Sequence, residues 1–206
     1  MKKMNEVVKE VVKFENEVQK EKKMKEKLEI TKKITNSEDF SNITNLENIS
    51  NITNSGSESN ITNVGYKSQI VNSGDMSNIT NSGDISNITN SGSESCIANS
   101  GSGSSIINSG DFSNITNSSQ RSNIISSGPN SEIADSGIFS KITSSGSESR
   151  IANSGFNTYN DIKGENSVCF DCGIGGVIKG VKGTHIALCE WYCDEKINKW
   201  KMNKKI

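Results

Sequence analysis

The residues best suited to chemistry are four cysteines near the end of the chain. Cys169-x2-Cys172 followed by Cys189-x3-Cys193 has roughly the spacing of a four-thiolate zinc site. The first pair is well spaced. The second is looser and falls on a predicted strand, where Cys189 and Cys193 share one face. Cys169 and Cys172 point opposite ways unless the chain bends at Gly173. The set is a weak zinc candidate, small buried residues are the favoured reading, and no cofactor is expected. His185 is the single histidine and shares a strand face with Ala187, Cys189 and Trp191. A Cys/His nucleophile pair can be written from it, but no orienting acid is implied. Gly173-Ile174-Gly175-Gly176 lacks the Lys-Ser/Thr of a phosphate loop. The chain reads as a binding or structural protein, not an enzyme.

Binding chemistry has three sources. Glu58, Glu94 and Glu148 recur in Gly-Ser-Glu-Ser motifs and occupy equivalent corners if a structural turn takes 18 residues. They then lie about 10 and 14 Å apart along the axis. That is sparser than duplex phosphates, at about one charge per 1.7 Å, so a solvated edge is the default and nucleic-acid mimicry the sharper reading. Trp191, Tyr192 and Trp200 form an aromatic cluster of the kind that anchors partners. Outward Thr44, Thr62, Thr80 and Thr116 share one face, and Thr35, Thr53, Thr89 and Thr143 another. Such rows suit ice binding, but alanine, valine and isoleucine interrupt them.

The element that positions these residues is a nonapeptide repeat. Ile34 to Ile151 include fourteen isoleucines spaced nine apart without a miss. The unit reads S-x-I-[TA]-N-S-G-x-x. Strand alternation puts Ser, Ile and Asn on one face, and Ser-Gly supplies a turn in which glycine can take φ > 0. One unit cannot bury its isoleucine alone. Stacked units can, with Ile43, Ile61, Ile79, Ile97, Ile115, Ile133 and Ile151 in one column and asparagine side chains in ladders along the axis. Asp39-Phe40-Ser41-Asn42-Ile43 and its cognates recur at 36 residues, and the Gly-Ser-Glu-Ser motif at 36 and 54. All are multiples of 18. The expectation is therefore a mainly β, parallel β-solenoid with two nonapeptides per turn, against a 27-residue triangular rival. Seven turns make a rod of roughly 34 Å. The unit resembles the calcium-binding roll in period, but Ser replaces the ligating Asp, so no calcium dependence is expected.

The ends differ from the repeat. Residues 1–33 fit an amphipathic helix through Met4, Val7, Val11, Phe14 and Val18. It serves as a cap, as a coiled coil that makes a homo-oligomer, or as a partner-binding arm. Residues 34–156 form the solenoid. From 157 to 206 the repeat fails, and strands at 168–172, 184–192 and 196–202 read as a small β-rich cap that seals the last turn. The net charge of −1 divides as +4, −7 and +2 over these three segments. An acidic repeat tract does not grip DNA. No apolar run reaches the ~20 residues of a membrane span. The charged start shows no signal-type stretch, so a cytoplasmic location is expected, with reduced thiols and a free thiol at Cys96.

Ile124-Ile125-Ser126-Ser127-Gly128 and Ile142-Thr143-Ser144-Ser145-Gly146, with the tail Lys182-Gly183-Thr184-His185-Ile186-Ala187-Leu188-Cys189-Glu190-Trp191, resemble a poorly characterised group of phage and prophage proteins. The resemblance covers about residues 34–192, and the tail cysteines are not part of that pattern. It implies a mobile-element product without assigned chemistry. The functional expectation is a protein that binds a host protein or ribonucleoprotein, in its sharpest form an inhibitor of an antiviral nuclease (anti-CRISPR type) acting by occlusion. The alternatives are a structural, oligomeric rod of a virion or cell surface, and an ice-binding solenoid.

Overall fold

The computed structural model of the protein describes residues 32–189, 191–194 and 199–202. Eighteen short parallel strands alternate between two nine-stranded sheets, from β1 (Lys32–Asn36) and β2 (Asn42–Asn45) to β17 (Val177–Gly180) and β18 (His185–Leu188). Odd strands build one sheet and even strands the other, each pairing with the strand two ahead. Ile43 faces Ile61, Ile61 faces Ile79, and Ile52 faces Ile70, each 18 residues apart. This register fixes a two-sided, nine-turn coil and removes the triangular alternative.

Alternation drives the strands. In Asn78-Ile79-Thr80-Asn81, Ile79 and Asn81 are buried while Asn78 and Thr80 are exposed. The inward isoleucines spaced nine apart from Ile52 to Ile151 are at most 3% exposed. Each contributes about 1.5–3 kcal/mol by leaving water. The second inward row is polar, and it survives burial because its asparagines are paired along the axis. Asn45 Nδ2 donates to Asn63 Oδ1 at 2.7 Å and to the Glu47 carbonyl at 2.8 Å. The same pair of bonds repeats at Asn63, Asn81 and, on the other sheet, Asn54, Asn72 and Asn90. The inward serines tie the corners, as Ser68 Oγ donates to the Gly65 carbonyl at 3.1 Å.

The corner glycine acts differently from the expectation. Gly83 has no positive φ; the left-handed residue is Ile85, at φ 54°. A Cβ on Gly83 would fall on the Gly65 carbonyl oxygen of the preceding turn, and every repeat glycine from Gly56 to Gly173 meets the same obstacle. Glycine is therefore required for close stacking of corners, not for backbone conformation. The left-handed place two residues later takes Phe, Ile, Glu, Lys, Met, Arg or Asn. Beyond the first two corners, which begin with Glu38 and Glu47, one corner breaks the rule: Ser119 stands at the glycine place, with its Oγ accepting from Asn99 Nδ2 at 2.9 Å and donating to Asn117 Oδ1 at 2.8 Å.

The coil does not stop at residue 156, nor after seven turns. β15 (Tyr159–Ile162), β16 (Val168–Asp171), β17 and β18 extend the same two sheets. The repeat is hidden there because Asn160 pairs with Ile142 in the isoleucine column, and Ile162 pairs with Ser144 in the polar row. Cys169 replaces isoleucine on β16, facing Ile151. The final step is one residue short, since Val168 pairs with His185. Most of the segment assigned to a separate cap is thus coil. Only β19 (Trp191–Asp194) and β20 (Lys199–Met202) stand apart, as an antiparallel hairpin. The helix expected over 1–33 lies outside the described residues up to 31, Lys32 and Lys33 belong to β1, and no helix occurs among the described residues.

Candidate functional site

Successive turns stack their corners into two edges. One edge is made by corners 38–40, 56–58, 74–76, 92–94, 110–112, 128–130, 146–148 and 164–166. It carries Glu38, Asp39, Glu58, Asp75, Glu94, Asp111, Glu148 and Glu165, all exposed, and these corners hold no Lys, Arg or His. The coil sets their spacing at about 4.8 Å per turn. The first five turns each supply at least one carboxylate, Pro129-Asn130 leaves a gap, and Glu148 and Glu165 resume the series. Phe40, Met76 and Phe112 alternate with Glu58 and Glu94 along the row and are exposed.

Two features hold this edge in place. The last residue of each corner lies in the left-handed region, with φ between 51° and 56° from Phe40 to Asn166. Its N–H donates to the next turn, as Glu58 N–H does to the Asp75 carbonyl and Glu94 N–H to the Asp111 carbonyl, both at 2.8 Å. The Asp side chains add a second tie. Asp39 Oδ1 accepts from Ser57 N–H at 2.7 Å and Asp75 Oδ1 from Ser93 N–H at 2.8 Å. The equivalent partner of Asp111 is Pro129, which has no N–H to give. Glu58, Glu94 and Glu148 do share this edge, as the 18-residue spacing required. Sequence reasoning used the Asp39, Asp75 and Asp111 motifs only to count residues per turn, and so missed that they sit one residue before the same corner row.

Cys169 stands apart from Cys172 and Cys189. Cys169 is fully buried in the isoleucine column, and burial pushes its thiol up to about 12. Cys172 and Cys189 are half-buried at corners, and the Cys193 side chain lies outside the described residues. No group of three or more His, Cys, Asp or Glu side chains suited to a metal occurs among the described residues. His185 points outward from β18 and is exposed. Cys96 is exposed on the outer face of β8 (Cys96–Asn99).

The tail aromatics also divide. Trp191 Nε1 donates to the Cys172 carbonyl at 2.9 Å, tying the hairpin to the coil. Trp200 is 52% exposed and lines a cleft of about 400 Å³ with Phe156, Ile174 and Cys189. The Tyr192 side chain lies outside the described residues. The threonine rows fall on the outer faces of the two sheets.

Sequence reasoning missed a buried carboxylate. Asp135 takes an asparagine place in the polar ladder and accepts from Asn117 Nδ2 at 2.6 Å and Gly137 N–H at 3.1 Å. Its Oδ2 is buried without a partner. Burial lifts its carboxyl above the usual range, and the Asp171 charge adds to the lift. Asp171 is better served: Thr158 Oγ1 and Asn160 Nδ2 donate to Oδ2 at 3.1 and 2.8 Å, and Gly173 N–H donates to Oδ1 at 2.8 Å. Burial outweighs these bonds and its carboxyl is also raised.

The fold and its surface define a two-sheet parallel β-solenoid with one acidic edge. No protein-family model matches the chain, and no curated protein or solved structure matches it either.

Proposed function

We propose that this solenoid is a non-catalytic binding protein that sets its acidic edge into a basic groove of a host protein or ribonucleoprotein. Its most specific form is an inhibitor that occludes a host antiviral nuclease, in keeping with the phage resemblance of the repeat and tail. The observation that carries the reading is the edge with eight exposed carboxylates and no base in its corners. Grooves that hold nucleic acid are lined with Lys and Arg. A carboxylate row with about 4.8 Å between turns approaches the ~3.4 Å charge spacing of one nucleic-acid strand. Complementary fields speed encounter. Corners fixed by backbone bonds lose little freedom on docking, and Phe40, Met76 and Phe112 supply apolar contact between the charges.

The test compares the wild type with Glu58→Gln/Glu94→Gln/Glu148→Gln as baits in host lysate, followed by nuclease assays on what is retained. The expected result is a nucleic-acid-binding enzyme held at low salt, released at high salt, inhibited by the wild type and lost with the triple variant. Equal retention by both baits, or retained enzymes that stay fully active, would end the proposal. A stable trimer in light scattering, with no such enzyme retained, favours the structural rod instead.

A further inference from the structure

We propose that Cys172 and Cys189 form a disulfide that clamps the last strand of the coil, making the C-terminal end a redox-responsive fastening. Asp171 pairs with Leu188 across β16 and β18, so Cys172 and Cys189 are the next residues in the same register. Cys189 N–H donates to the Asp171 carbonyl at 2.9 Å, which carries the ladder one step beyond the strands. Residues in register on neighbouring strands lie about 4.8 Å apart at Cα, within the roughly 4.4–6.8 Å that a disulfide spans.

The side chains share a direction as well. Both cysteines occupy the place held by Ser82, Ser100, Ser118, Ser136 and Ser154 in earlier turns of this sheet. At that place Ser100 Oγ donates to Ser82 Oγ one turn away, at 3.5 Å. Ser100 Oγ also reaches the Asn81 carbonyl at 3.5 Å, and Cys172 Sγ reaches the equivalent Asn153 carbonyl at 3.6 Å. The thiols thus follow the serine geometry, which brings equivalent side-chain atoms of adjacent turns into contact. Burial raises the Cys172 thiol, and the nearby Cys189 adds to the rise. Both are half-buried, so a small oxidant reaches them.

The chemistry needs a low-molecular-weight disulfide such as oxidised glutathione. One protein thiolate attacks it, forms a mixed disulfide and releases one thiolate. The second protein thiolate then attacks the protein sulfur and releases the other. Two protein thiols are oxidised by two electrons, and one small disulfide is reduced to two thiols. β18 is a terminal strand that pairs with a single neighbour, β16, so without the bond its end is one of the places where the coil opens most readily. Closing a loop of this size makes the open form about a hundredfold rarer.

The full chain is incubated with oxidised glutathione and read by thiol count, peptide mapping and hydrogen exchange. Expected is the loss of two thiols in the monomer, retained in Cys193→Ser and Cys169→Ser and abolished in Cys172→Ser and Cys189→Ser. Exchange at residues 185–188 should slow about a hundredfold on oxidation and recover on reduction. Serine at either place should keep the fold, since earlier turns carry it there. A bond between Cys189 and Cys193, a persistent glutathione adduct, a cross-linked dimer or unchanged thiols would each overturn the proposal.

Discussion

The two edges of the coil share one backbone and differ in almost everything else. Corners 47–49, 65–67, 83–85, 101–103, 119–121, 137–139, 155–157 and 173–175 carry Glu47 and Asp84 against Lys67 and Arg121, and become apolar at Ile138, Phe139, Phe156 and Ile174. The other edge carries eight acids and no base. Yet the left-handed residue, the forward backbone bond and the buried glycine recur on both. The lesson is that backbone and glycine hold the corner, an Asp or Asn at the middle place ties it to the next turn where one occurs, and the left-handed side chain is left free to vary. Glu58, Glu94 and Glu148, gathered at the left-handed place of one edge, are therefore not something that folding demands.

The comparison can be broken at its shared part. Gly110→Ala on the acidic edge and Gly101→Ala on the other each drive a Cβ into the carbonyl of the turn before. Both should cost on the order of 3 kcal/mol, seen as matching losses in thermal melts. Unequal losses would mean that the two edges do not share one corner mechanism.

The polar ladder gives an effect of opposite sign. Asp135→Asn restores the donor that every other turn of the ladder from Asn45 to Asn117 provides. It should stabilise the coil by about 1–2 kcal/mol at neutral pH. The sign with pH follows from the raised carboxyl. A folded-state value above the unfolded one gives stability that is present in acid and lost as pH rises through the folded value. The wild type should therefore gain stability on mild acidification relative to Asp135→Asn, and chemical denaturation at several pH values checks it. Asp171 is raised in the same direction, so the variant should keep part of the slope.

The edges can then be told apart by charge alone. Replacing Glu58, Glu94 and Glu148 with glutamine should leave the melting curve within about 0.5 kcal/mol, because exposed like charges contribute little. A large change in stability would show that the acids serve the fold rather than a partner. The smallest effect is conformational. Ile85 is β-branched at φ 54° on the edge where Gly103 holds the equivalent place at φ 65°. Ile85→Asn should stabilise by about 0.5–1 kcal/mol, since asparagine tolerates the left-handed region.

The repeat was legible because each unit states the same pattern, and fourteen isoleucines in phase leave one economical packing. The 18-residue turn was legible from corner motifs that recur only at even multiples of nine. The last two turns were not. Asn160 and Ile162 exchange the roles of the two inward rows, and their pairing with Ile142 and Ser144 exists only once the strand is laid on its neighbour. The acidic edge was read in part, because Asp39, Asp75 and Asp111 stand one residue out of phase with Glu58, Glu94 and Glu148. Only folded corners show that both phases face the same way.

By itself the sequence determined the nine-residue period and the inward Ser-Ile-Asn face, since alternation and stacking are local rules applied many times, and it favoured the two-sheet coil over a triangular one, which the strand register then excluded. The tertiary structure alone decided why glycine is needed, where the coil ends, and which thiols and carboxylates meet. Those depend on the atoms of the turn beneath, 17 or 18 residues away, and no local pattern records what a side chain will find there.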